Sequence, residues 1–99
     1  MMKLRINPLV AKDLKSIKEF IAEDNADKAL GTVREIYRQF DNIQQFPYIG
    51  ADLSKRVSFK TDYKYVVWQD YVVLYKVVRE AVEIYRVVNR YQDITRIFE

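Results

Sequence analysis

The chain contains no cysteine and no histidine. The first absence rules out disulfides, thiol catalysis and cysteine-ligated metals, and it fits a reducing cytoplasm. The second removes the usual general base near neutral pH and the commonest metal ligand. Any catalysis would have to use Lys, Arg, Tyr, Asp or Glu. Only two glycines and two prolines occur in 99 residues, so long flexible linkers are not expected. The opening Met1-Met2-Lys3-Leu4-Arg5-Ile6 leads into no apolar run of signal-peptide or transmembrane length. A Walker loop, a dinucleotide-binding glycine pattern and a metal-ligand cluster are all missing, so no cofactor and no metal are expected.

What is present describes a globular chain. Apolar residues make up 49% and charged residues 31%, which is not a disordered composition. At this length residues 1–99 are expected to form one domain with a thin core, to which a binding partner would add stability. Eight tyrosines raise the aromatic share to 14%. The net charge of +3 permits contact with nucleic acid without requiring it.

Periodicity gives the order of elements. Lys3–Asn7 alternates polar and apolar residues and reads as a short strand. Asn7-Pro8 is a helix start, because Asn caps free N–H groups and Pro suits the first helical position. Val10, Leu14, Ile17 and Ile21 then mark one face of a helix from Pro8 to about Glu23. Asp24-Asn25-Ala26-Asp27 is a short polar break that can cap the next helix. A second helix runs to about Gln45, with the stripe Ala29/Leu30, Val33, Ile36/Tyr37, Phe40 and Ile43 expected inward. So short a break predicts an antiparallel helical hairpin. Phe46-Pro47-Tyr48-Ile49-Gly50 turns the chain.

Strands follow at about Tyr63–Trp68, Val72–Val78 and Val82–Val88, separated by Gln69-Asp70-Tyr71 and Arg79-Glu80-Ala81. Arg56–Lys60 reads as either an edge strand or a loop. Gln92–Phe98 forms a last amphipathic turn or short helix. The expected fold is α+β: an N-terminal strand, a helical hairpin over one face of a curved antiparallel sheet of three to four strands, and a short C-terminal helix. The other face of the sheet is expected to stay open, with Lys64, Arg86 and Arg90 grouped on it.

Four segments in this order resemble the RelE/ParE superfamily of bacterial toxins. They are Pro8–Ile17, the turn Phe46-Pro47-Tyr48-Ile49-Gly50, the strand Asp70–Val77, and the final strand with its tail, Val82–Ile94. The resemblance covers nearly the whole chain. It implies the toxin of a type II toxin–antitoxin pair, acting in the cytoplasm with no membrane partner. A small antitoxin would silence it by direct binding, in a toxin–antitoxin hetero-oligomer. RelE-like members cut mRNA in the ribosomal A site, ParE-like members inhibit DNA gyrase, and others have lost activity. The C-terminal stretch departs from both active patterns. Where one branch resembles Arg-Tyr-His-Tyr, this chain has Arg90-Tyr91-Gln92-Asp93. Where many ParE-like members resemble His-Gly-Arg-Arg-Asp, Asn89-Arg90-Tyr91-Gln92-Asp93 keeps only the final Asp.

Two basic groups are candidates for target or nucleic-acid binding. One is Lys55, Arg56, Lys60 and Lys64; the other is Arg86, Arg90 and Tyr91, with Arg96 following. Cations can hold phosphate, and a neighbouring Tyr can stack on a base or move a proton. For an mRNA endonuclease, the ribose 2′-OH would attack the adjacent phosphate. Lys60 or Lys64 would help activate that hydroxyl, Arg90 would stabilise the developing charge, and Tyr91 would stack. Each group also has a plainer reading. The first is a solvated edge that discourages aggregation. In the second, Asp93 caps the last helix, Arg90 pairs with it and Tyr91 packs at the strand end. Glu80 and Glu83 read as turn-solubilising charges, and Trp68 and the strand tyrosines as core or partner contacts. Three functions stay open: a gyrase inhibitor, a ribosome-dependent mRNA endonuclease, and an inert antitoxin binder.

Overall fold

The computed structural model describes residues 2–98. Its elements are β1 (Lys3–Ile6), α1 (Pro8–Ala22), α2 (Ala26–Gln45), β2 (Ala51–Asp52), β3 (Lys64–Trp68), β4 (Tyr71–Val78) and β5 (Ala81–Asn89). Short 3-10 turns follow β2 (Leu53–Lys55) and close the chain (Ile94–Phe98). The α+β architecture is as expected. The sheet, however, has five strands in the order β1-β5-β4-β3-β2. β1 joins it parallel to β5, and the extra edge strand is Ala51–Asp52 rather than Arg56–Lys60, which is loop. The expected C-terminal turn or short helix is the 3-10 turn Ile94–Phe98.

Both helices begin where capping chemistry places them. The Asn7 side chain accepts from the Leu9 N–H at 2.9 Å, with Pro8 in the first turn. The Asn25 side chain accepts from the Lys28 N–H at 3.0 Å. Each cap satisfies a donor that the helix itself leaves free. The two apolar stripes then bury Val10 and Leu14 of α1, and Ala29, Ile36, Phe40 and Ile43 of α2. They pack on Val73, Tyr75, Val82, Ile84 and Val87 of the sheet.

The turn after α2 is fixed by one tyrosine. The buried Tyr75 hydroxyl donates to the Pro47 carbonyl and accepts from the Gly50 N–H, both at 2.9 Å. A Cβ on Gly50 would lie 2.5 Å from that hydroxyl oxygen and 2.9 Å from the Tyr65 carbonyl oxygen. Only glycine fits this close approach. Burial pushes the Tyr75 phenol above its ordinary range, against a smaller opposing effect from the Gly50 N–H. It therefore stays protonated and keeps its donor.

The face away from the helices is not open. Val72, Leu74, Val88 and Leu53 form a second buried cluster, covered by Val57, Tyr63, Tyr65, Ile94, Ile97 and Phe98. Phe98 is the hub of an aromatic group. Its ring centroid lies 5.3 Å from Tyr63, 5.6 Å from Tyr85 and 5.6 Å from Phe59. The loop after β2 and the C-terminal turn thus roof part of the second face.

Candidate functional site

The three cations expected together are dispersed. Lys64 lies at the start of β3 on the helix-covered side, with Val66 and Trp68, opposite Tyr75. Its Nζ donates to Asp52 Oδ1 at 2.7 Å and sits 5.8 Å from the centre of the Tyr48 ring. That hydrogen bond, then the charge of Lys64, holds the Asp52 carboxyl below the usual carboxylate range, with Lys55 adding to the effect. The Lys64 side chain is already engaged within the fold, although partly accessible.

Arg86 is held at the other edge. β5 carries an irregularity here: Leu74 pairs with Arg86 and Tyr75 with Ile84, so Tyr85 is an extra residue. β1 ends at Ile6, and α1 passes beside the strand edge it leaves unpaired. Asp13 of α1 fills that place. Its carboxylate accepts two bonds from the Arg86 guanidinium, each 2.8 Å, and one from the Val87 N–H at 3.0 Å. The bidentate bond to Asp13 raises the pKa of Arg86, outweighing the opposing effect of burial. Arg86 is a structural clamp between helix and sheet, and it does not project onto the second face. The strand period gives Arg86 no reason to turn towards a helix. A sign of the contact does exist at the other end, since Asp13 is a lone carboxylate beside Val10, Leu14 and Ile17 on the inward side of α1.

Arg56 and Arg90 do come together. Both border a groove of about 300 Å³ on the second face, over Leu53, Tyr65, Val67 and Val72. Arg56 lies 5.7 Å from the centre of the Tyr65 ring, and Arg90 lies 5.6 Å from that of Tyr91. Tyr91 is 79% exposed beside this groove rather than packed at the strand end. Asp93 does not pair with Arg90. Its Oδ1 instead accepts from the Thr95 hydroxyl at 2.6 Å and the Thr95 N–H at 3.0 Å, capping the C-terminal turn. Those bonds, the hydroxyl first, lower the Asp93 pKa. Lys55, at the end of the 3-10 turn after β2, and Lys60, in the loop that follows, are both exposed.

These positions bear on chemistry. Lys64 is in register with Tyr75, and Asn89, one residue before Arg90, is in register with Tyr71. Four residue steps along β4, from Tyr71 to Tyr75, therefore separate the two ends, about 13 Å along the strand. Lys64 lies on one face of the sheet, while Arg90 borders the groove on the other. Lys64, Arg90 and Tyr91 do not converge on one reacting phosphate. Among the described residues no group of acidic side chains is arranged to hold a metal ion. Among the described residues no helix is long and apolar enough to cross a membrane.

Comparison with known proteins gives a consistent picture. Residues 4–94 match the family described as "ParE toxin of type II toxin-antitoxin system, parDE". Among solved structures, a chain of the chromosomal ParDE TA system from P. aeruginosa superposes with a TM-score of 0.75 at 23% sequence identity. The match covers 90% of this chain and 96% of that one, which establishes the shared fold. No curated protein sequence matches the chain.

Proposed function

Since the chain belongs to the ParE toxin family of type II toxin–antitoxin systems, we propose that it arrests growth in the cytoplasm by inhibiting DNA gyrase. In this reading a cognate antitoxin silences it by direct binding. The observation that carries the choice of target is the separation of Lys64 from Arg90 and Tyr91 by the sheet itself. Cleaving RNA through the 2′-OH requires a group near that hydroxyl and a cation on the same phosphate, held within hydrogen-bond reach. Lys64 is instead paired with Asp52 on the opposite face. Inhibiting gyrase requires only a binding surface. The lack of histidine and the modest net charge of +3 point the same way.

Two reactions run in parallel test the proposal. Purified protein is added to a gyrase supercoiling assay and to a translation reaction whose mRNA ends are mapped. Loss of supercoiling with intact mRNA is the expected result. Cuts in the ribosomal A site with normal supercoiling would replace this reading with the endonuclease. No effect in either would leave an inert antitoxin binder.

A further inference from the structure

The groove between Arg56 and Arg90 combines two features. Its floor is apolar and partly accessible, with Val67 46% exposed above buried Leu53 and Val72. Its borders carry two guanidinium groups that have no carboxylate partner among the described residues. Lys64 and Arg86, by contrast, each have their own Asp. Uncompensated positive charge beside exposed apolar surface calls for an occupant that is negative at its edges and apolar between them.

We propose that this groove receives an acidic segment of the cognate antitoxin, with carboxylates on Arg56 and Arg90 and an apolar side chain over Val67. The inference rests on the toxin–antitoxin reading above and adds a place and a chemistry to it. Arginine is suited to the task, because its planar fork meets a carboxylate with two parallel bonds. A volume of about 300 Å³ accommodates a few side chains of a peptide.

A nucleic-acid strand fits less well, for three reasons. Arg56 and Arg90 lie 5.7 and 5.6 Å from the Tyr65 and Tyr91 ring centres, so a base stacking on those faces would compete with a guanidinium. Asp93 also lines the groove, and the Thr95 bonds keep it ionised, so it would repel a run of consecutive phosphates. The aliphatic floor offers nothing to a sugar–phosphate chain. A peptide meets both arginines with separated carboxylates and can bring a donor to Asp93.

The test is titration calorimetry of the purified toxin against the full-length antitoxin encoded by the adjoining reading frame. Arg56→Glu/Arg90→Glu is compared with Lys12→Glu/Lys18→Glu, which makes the same change in net charge on exposed positions of α1. The first pair should weaken binding by about 100-fold or more, and the control should stay within about threefold of the unaltered protein. Should the glutamates disturb folding, Arg56→Gln/Arg90→Gln, checked for an unchanged melting profile, should still weaken binding by about tenfold. Unchanged affinity in either groove variant, or an equal loss in the control, would overturn the proposal. So would tight binding of a short single-stranded RNA that depends on Arg56 and Arg90, which would make the groove a nucleic-acid site. If the unaltered toxin does not bind the antitoxin at all, the toxin–antitoxin reading itself fails.

Discussion

Replacing Asp13 by alanine removes one carboxylate but three hydrogen bonds: two from the Arg86 guanidinium and one from the Val87 N–H. A hydrogen bond to a charged group contributes about 1.5–3 kcal/mol net. Removing one partner of a fully buried ion pair costs about 3–5 kcal/mol, because the other charge is stranded. The pair here is only partly buried, with the Arg86 side chain 23% exposed and that of Asp13 11% exposed. Water recovers part of the loss, and the expected cost is about 2–3 kcal/mol. For a domain of this size that lowers the melting temperature by roughly 10–20 °C.

Urea and thermal unfolding followed by circular dichroism would measure it. Arg86→Met and the double variant complete a cycle that isolates the coupling from the loss of either side chain alone. Arg86→Lys should recover little, since an ammonium cannot span both carboxylate oxygens in the same geometry. A cost below about 0.5 kcal/mol for Asp13→Ala, the range of a surface substitution, would refute the reasoning. Asp13 and Arg86 would then be a surface pair rather than the join between α1 and β5.

Other consequences follow from the same contacts. Gly50→Ala forces a methyl group against the Tyr75 hydroxyl and the Tyr65 carbonyl, and should destabilise the fold by about 2 kcal/mol or more in urea melts. Phe98→Ala removes the hub of the aromatic group on the second face and should cost about 1–2 kcal/mol, less than a fully buried Phe because the ring is partly accessible. Burial raises the Tyr63, Tyr71 and Tyr75 pKa values above the ordinary phenol value. Groups raised in the folded state contribute stability that is complete below the unfolded value near 10. That stability is lost as pH rises through the folded values. Melting temperature should therefore fall on moving from about pH 9 upwards, and Tyr75→Phe should reduce the alkaline slope.

The elements that depend on neighbours in sequence are legible in the sequence itself. Asn7 and Asn25 announce the helix starts, and the spacing of Val10, Leu14, Ile36, Phe40 and Ile43 announces the buried faces. Alternation placed Lys64 with Val66 and Trp68 correctly, but it could not say which face of the sheet that was. What escaped depends on partners far along the chain. Arg86 meets a carboxylate 73 residues away on α1, a partner that the two-residue period of its own strand cannot reveal. β2 is only two residues long, too short for a periodic signal. Leu53 and Phe98 cover the second face through contacts with β3, β4 and β5 that no local pattern encodes. Of the candidate site residues, Arg56 and Arg90 share a groove because a loop and a strand end meet over β3, a juxtaposition set by the tertiary fold.

The most direct measurement is inhibition of purified gyrase, followed as the conversion of relaxed to supercoiled plasmid while the toxin concentration is raised. Concentration-dependent loss of supercoiling, restored when the antitoxin is added in equimolar amount, is the predicted outcome. Full supercoiling at toxin concentrations that stop cell growth would contradict the account, because growth arrest would then require another target.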